Sequence, residues 1–195
     1  MNDNILNDLK IQIYTDLPQD IKDKVNTYNH ENGGVEDTRS NEQRELDHDK
    51  HYAKPYKHIY AFNSIDEVIA CVLLFSREIT FNNNKVKLGG IGGVSTAINE
   101  RKKGIATHLL KVAMSKLKED DHDVAFLNTD IDAPKLRGLY ERQGFVVLKN
   151  SYNFTGKFGK EYFAEDGMIA PLNSNEMFQV ILNSDQTLDI GAGNW

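Results

Sequence analysis

The chain has a single cysteine, Cys71, among 195 residues, with only four prolines and one tryptophan. One thiol excludes an intramolecular disulfide framework and any zinc site built from several thiolates, and it predicts a reducing, cytoplasmic setting. Long apolar runs are also missing. The longest, Val68 to Phe75, falls far short of the roughly 20 residues a membrane span requires. The start, Met1-Asn2-Asp3-Asn4, has neither a basic nor an apolar segment, so the sequence predicts a protein that is neither secreted nor integral to a membrane. No Gly-Lys-(Ser/Thr) phosphate loop is present, and Gly90-Ile91-Gly92-Gly93-Val94-Ser95 sits inside a strand pattern and ends in serine, so P-loop and dinucleotide-binding readings fail. His48 and His51 are three apart without a third convergent ligand, and His108 borders an apolar helix face, so no metal site is expected.

What the chain does have is the composition of one globular domain over residues 1–195, at 39% hydrophobic and 27% charged. Its charge is unevenly spread. The 23 basic and 29 acidic side chains give −6 overall, yet Lys85 to Lys118 holds eight basic residues and one acid, a local +7 that leaves −13 elsewhere. A basic patch inside an acidic protein, without interleaved aromatics, argues against nucleic acid and for a compact anionic ligand.

Alternation in residues 9–15 predicts a strand, and Asp16-Leu17-Pro18 then starts a helix carrying Ile21, Val25 and Tyr28. Residues 30–58 read as a charged excursion, a mobile flap containing a weak solvated helix over 40–53. Strands over 57–62, 68–81 and 85–96, with a turn at Asn63-Ser64 and another at Asn82-Asn83-Asn84, predict an antiparallel meander. Ile105, Leu109, Val112, Ala113 and Leu117 then share one face of a long helix. A short buried strand (124–127), a short helix (134–142) and a strand (145–148) follow. Residues 167–172 and 179–182 read as strands, and 188–195 as a last one. The order predicts an α/β (or α+β) fold with no internal repeat.

Two features point to a ligand. Arg101-Lys102-Lys103-Gly104-Ile105-Ala106 places glycine and alanine at a helix N-terminus, whose free N–H groups and positive dipole end suit a phosphate. Gly89, Gly90, Gly92 and Gly93 weaken the preceding strand, and mark either a bulge that opens a cleft beside the parallel strand 124–127 or close packing against an aromatic. The sequence leaves both open.

Arg101 to Ala106 is similar to the (Gln/Arg)-x-x-Gly-x-(Gly/Ala) motif of the GNAT acetyltransferase superfamily, and Leu139-Tyr140-Glu141-Arg142-Gln143-Gly144-Phe145 resembles its second marker, Leu-Tyr-x-x-x-Gly-Phe. The resemblance covers Ile11 to Leu148. It implies a mixed, mostly antiparallel sheet with a splayed strand pair and helices on both faces, and acetyl-CoA as cosubstrate. Val94, Ser95 and Thr96 would pair with the pantetheine arm, and Arg101, Lys102, Lys103, Gly104, Ile105, Ala106 and Thr107 would hold the pyrophosphate. The Val94 N–H would polarise the thioester carbonyl, and Tyr140 would reprotonate the thiolate. The implied partner is a small-molecule amine, and a homodimer is a further expectation.

The C-terminal order, through Asp166-Gly167-Met168-Ile169-Ala170-Pro171-Leu172 to the stretch ending Asn194-Trp195, resembles aminoglycoside 2'-N-acetyltransferases. That likeness implies that residues 173–195 complete the acceptor site, with Asn194 and Trp195, through its α-carboxylate, as substrate contacts. Those enzymes carry a glutamate on the splayed strand, and this chain aligns glycine there, at or next to Gly92. Asp130 and Asp132 are the substitute candidates for binding and deprotonating the amine, with water connected to bulk solvent an equal alternative for the proton, against a plain role in capping the loop and helix at Pro134. A non-catalytic acyl-CoA-binding module and a peptide N-terminal acetyltransferase are the alternatives.

Overall fold

A computed structural model describes residues 9–32 and 40–195. Strand β1 (Lys10–Tyr14) leads through Pro18 into helix α1 (Gln19–Asn32). The Gly33-Gly34 part of the expected flap lies outside the described residues. Ser40 then caps helix α2 (Asn41–Lys50), its hydroxyl accepting the Gln43 N–H at 3.1 Å. Strands β2 (Lys57–Phe62), β3 (Val68–Phe81) and β4 (Asn84–Thr96) make the expected meander. Helix α3 (Ile105–Glu119), strand β5 (Val124–Asn128), helix α4 (Pro134–Glu141) and the two-residue β6 (Val146–Val147) follow. The chain continues through β7 (Tyr152–Thr155), β8 (Glu161–Ala164), β9 (Gly167–Pro171), α5 (Asn175–Leu182) and β10 (Leu188–Ala192).

Seven strands form one sheet in the order β1-β2-β3-β4-β5-β9-β6, in which β4 and β5 are the parallel pair, and β10-β7-β8 form a second sheet. The period-2 pattern sorts the faces: Ile59 and Ala61 of β2 pack with Leu109, Leu110 and Ala113 of α3, while Tyr60 and Phe62 meet Ile21 and Tyr28 of α1. Helices therefore cover both faces, as expected.

Two expectations need correction, and a third is refined. Residues 179–182 belong to α5, not to a strand, because Ser174 caps the segment and Phe178 and Ile181, one turn apart, both bury. The stretch after Leu148, for which the sequence predicts no element before residue 167, contains the hairpin β7–β8, whose Tyr152, Phe154 and Tyr162 alternate around the turn at Gly159. Helix α2 is solvated over most of its length, as expected, but it is anchored at its C-terminal end. Its Asp49, 6% exposed, accepts from the Tyr162 hydroxyl and from the Phe158 N–H at 2.9 Å, and its carbonyl takes the Lys157 N–H at 3.0 Å. Gly156 makes room for that carboxylate, since a Cβ there would lie 2.5 Å from Asp49 Oδ2.

His122 closes α3 onto the meander. Its Nδ1 lies 2.9 Å from the Leu117 carbonyl and must donate, which leaves Nε2 to accept from Ser76 Oγ at 2.8 Å. The ring is 1% exposed, and burial lowers its pKa below the usual 6.5. The unfolded chain therefore takes up a proton that the folded one refuses, so stability is complete above about pH 6.5 and falls as pH drops, by up to about 1.4 kcal/mol per pH unit for one such group. Urea midpoints are expected to fall between pH 7.5 and 5.5, and His122→Gln should flatten that slope; an unchanged slope in the variant would exonerate His122.

Candidate active site

Strands β4 and β5 pair only where Leu88, Gly89 and Gly90 face Val124, Ala125 and Phe126, and then diverge. The cause lies on the other side of β4. Leu73 pairs with Gly92 and Cys71 with Ser95, so Gly93 and Val94 together oppose Val72 alone, which is a β-bulge. Gly93 has φ +57, and a Cβ there would sit 2.8 Å from Leu73 Cδ1. Any other residue would meet both the left-handed penalty and that clash. The bulge redirects the end of β4 and opens a cleft toward β5.

The neighbouring glycines serve the second purpose that the sequence left open. Cβ atoms at Gly90 and Gly92 would lie 2.5 Å from the Trp195 ring and 3.1 Å from its carbonyl carbon. The indole stacks on Phe75 at 5.4 Å, meets Phe126 edge-on at 5.7 Å, and lies under the Arg77 guanidinium at 4.3 Å. Arg77 also donates to the carbonyls of Ile190 and Gly193, and burial lowers its pKa to about 10. The space beside Gly90 and Gly92 is thus taken by the tail. Asn194 is 4% exposed, its N–H donates to the Lys50 carbonyl at 2.7 Å, and its Oδ1 has no partner.

Just past the C-terminal end of β4, beyond the bulge, the chain turns into α3. Lys102 has φ +66 and Gly104 φ +85, and Gly104 opens α3 without any side-chain cap. His108 is the first residue to close a helical bond there, onto the Gly104 carbonyl at 3.0 Å, so the N–H groups of Ile105, Ala106 and Thr107 head the helix. They line a hollow of about 210 Å³ with Arg101, Lys102 and Thr96. Thr96 Oγ1 is buried without a partner. Lys103 is engaged by Glu100 at 2.8 Å, and Arg101 Nε donates to the Thr96 carbonyl at 3.2 Å. An uncapped helix start, an orphaned hydroxyl and basic side chains together suit a diphosphate. Ser95 points elsewhere, its hydroxyl 2.7 Å from Tyr28 OH, while Val94 packs against the α3 side.

Tyr140 is 6% exposed and meets Phe145 edge-on at 6.2 Å, and Thr129, just past β5, is near enough to act on its hydroxyl. Burial raises its pKa above 10, with Thr129 acting against the shift. Asp130 and Asp132 are both exposed, and Asp130 Oδ1 accepts the Asp132 N–H at 3.1 Å, an Asx turn ahead of Pro134. Sequence reasoning missed Tyr28, Cys71, Phe75 and Arg77, which the fold brings to the bulge and the tail; only their apolar or aromatic alternation along a strand or helix was visible.

Splayed parallel strands with an uncapped helix start beside them define a coenzyme-binding acyltransferase architecture. The family description "Acetyltransferase (GNAT) domain" matches residues 22–148, and the chain belongs to that family. A segment of 84 residues is 31% identical to N-alpha-acetyltransferase 30 of Xenopus laevis, covering 43% of this chain and 31% of that protein, so the match spans about a third of the relative's length. The structure of the GNAT family N-acetyltransferase YhbS from Escherichia coli, in complex with CoA, is similar with a TM-score of 0.56 at 14% identity, over 94% of this chain and 90% of that one. The NatC complex bound to Gag peptide and CoA contains a similar chain (TM-score 0.54, 18% identity, 84% of this chain and 99% of that one). No described helix is long and apolar enough to cross a membrane.

Proposed function

We propose that this chain transfers the acetyl group of acetyl-CoA directly to a primary amine, with Arg101 to Thr107 holding the diphosphate and Val94 and Tyr140 serving the reaction centre. The observation that carries the reading is the uncapped α3 start beside diverging β4 and β5. Bound acetyl-CoA supplies an activated thioester carbon, and the chain's own groups do the rest. The Val94 N–H, past the bulge, donates to the thioester oxygen as charge builds on it. Tyr140, kept protonated by burial, donates to the departing sulfur. With Gly92 in place of a glutamate, the amine loses its proton to water that reaches solvent along the cleft.

The acceptor side of the bulge carries Tyr28, Cys71, Leu73, Phe75, Ser95 and Trp195. None of these side chains is acidic, and the α-carboxylate of Trp195 is the one negative charge this group carries, which favours a monoamine on an otherwise uncharged frame over a polycationic aminoglycoside. A peptide α-amine is the second reading, favoured by the likeness to N-alpha-acetyltransferase 30 and to the peptide-bound NatC chain. Thiol release from acetyl-CoA, measured against aminoglycosides, polyamines and free or α-blocked peptides, decides between them. Release is expected with an uncharged-frame amine or a free peptide. Binding of CoA with no amine-dependent release from any acceptor would leave only a binding module.

A further inference from the structure

A hydrogen-bonded chain of side chains runs across the acceptor side of the bulge. Tyr28 OH lies 2.7 Å from Ser95 Oγ, Ser95 Oγ lies 3.2 Å from Cys71 Sγ, and Cys71 Sγ lies 3.0 Å from the Gly93 carbonyl oxygen. The last contact sets the direction of all three. A carbonyl only accepts, so the single thiol proton goes to Gly93. Toward Ser95 the sulfur can then only accept, so the Ser95 hydroxyl donates to it, and Tyr28 must donate to Ser95. Donors aligned in one sense polarise one another along the chain.

The acceptor at its end is part of a larger unit. The Gly93 carbonyl and the Val94 N–H belong to one planar trans peptide and point in opposite directions. That peptide lies in the bulge, where two residues of β4 share one partner on β3 and the regular ladder is interrupted. Cys71 stands on β3. Drawing the carbonyl toward β3 turns the N–H away from it, to the side where β5 departs.

We propose that Cys71, backed by Ser95 and Tyr28, is a positioning residue that sets the Gly93–Val94 peptide and so aims the Val94 N–H at the thioester oxygen. The proposal rests on the oxyanion reading of Val94 given above. The Cys71 thiol is committed to the Gly93 carbonyl and the Ser95 hydroxyl. It acts through a peptide plane, and the same plane explains why a thiol, a serine and a tyrosine from three separate elements converge on one glycine carbonyl.

The test uses acetyl-CoA carrying a ¹³C-labelled carbonyl, bound without acceptor and read by infrared difference spectroscopy. In the wild-type protein the thioester stretch is expected below its value in free acetyl-CoA. Cys71→Ala should return it toward the free value and lower kcat about tenfold, with the KM for acetyl-CoA within about twofold, because only the aim of one donor is lost. Cys71→Ser restores a donor and should recover most of both signals. Loss of kcat with an unshifted spectrum would assign Cys71 a structural role and overturn the proposal, as would wild-type values of both. An unshifted carbonyl in the wild-type protein would instead sink the Val94 reading itself. Should Cys71→Ala fail to fold, Ser95→Ala at the exposed neighbour breaks the chain one link earlier; a smaller kcat loss with a partial spectral return is expected, and no change in either overturns the proposal.

Discussion

Tyr140→Phe is expected to lower turnover by at least about tenfold while acetyl-CoA affinity stays within about twofold. The ring is buried against Phe145, and phenylalanine keeps that packing, so the variant loses only the hydroxyl. Losing one buried hydroxyl costs about 1 kcal/mol of stability at most and leaves the fold intact. Burial holds the phenol above its usual pKa of 10, so it stays protonated through the working range and adds no basic limb to the rate profile below that pH. A coenzyme thiol has a reference pKa near 8.5, and each unit of mismatch costs about 1.4 kcal/mol for full transfer. The hydroxyl therefore works chiefly by hydrogen bonding to the sulfur as negative charge appears on it. Single-turnover rates are the measurement, because product release can mask the chemical step in kcat. Wild-type single-turnover rates in the variant would remove Tyr140 from the reaction.

Trp195→Ala is expected to act on two quantities together. Removing an indole that stacks on Phe75, meets Phe126 and covers Gly90 should destabilise the protein by about 3 kcal/mol, in the range of buried aromatic truncations. For a domain of this size that is roughly 10 °C in Tm. Arg77, now stacked on that ring, would keep its two backbone acceptors. The second effect is specific to the acceptor. With the floor beside Gly92 emptied, the KM for the amine should rise several-fold while the KM for acetyl-CoA stays near its wild-type value, since the residues proposed to hold the diphosphate, Arg101 to Thr107, do not touch the indole. A thermal shift with unchanged amine kinetics would make the tail a structural plug and withdraw it from the acceptor site.

How far the sequence could be read depended on the range of the interactions. The meander, α3 and the phosphate cradle were legible because each is written in local periodicity or in a short run such as Arg101 to Ala106. Asp49 shows the opposite case: within a strongly polar helix it looked solvated, and only the hairpin turn more than 100 residues away, with Tyr162 and Phe158, reveals why it is buried. The strand expected over 179–182 failed for a related reason. A four-residue segment, Gln179 to Leu182, has no period of its own, and the cap at Ser174, five residues earlier, decided it.

The sequence by itself determined that this is an α/β chain with a helix start shaped for an anion, because hydrogen-bonding needs at a helix terminus are met or left open by neighbouring residues. Tertiary structure alone decided what the glycines of β4 are for. Gly93 forms the bulge that opens the cleft, while Gly90 and Gly92 admit an indole from the end of the chain. A missing side chain records only that space is needed, and the atoms that fill the space arrive from elsewhere in the fold.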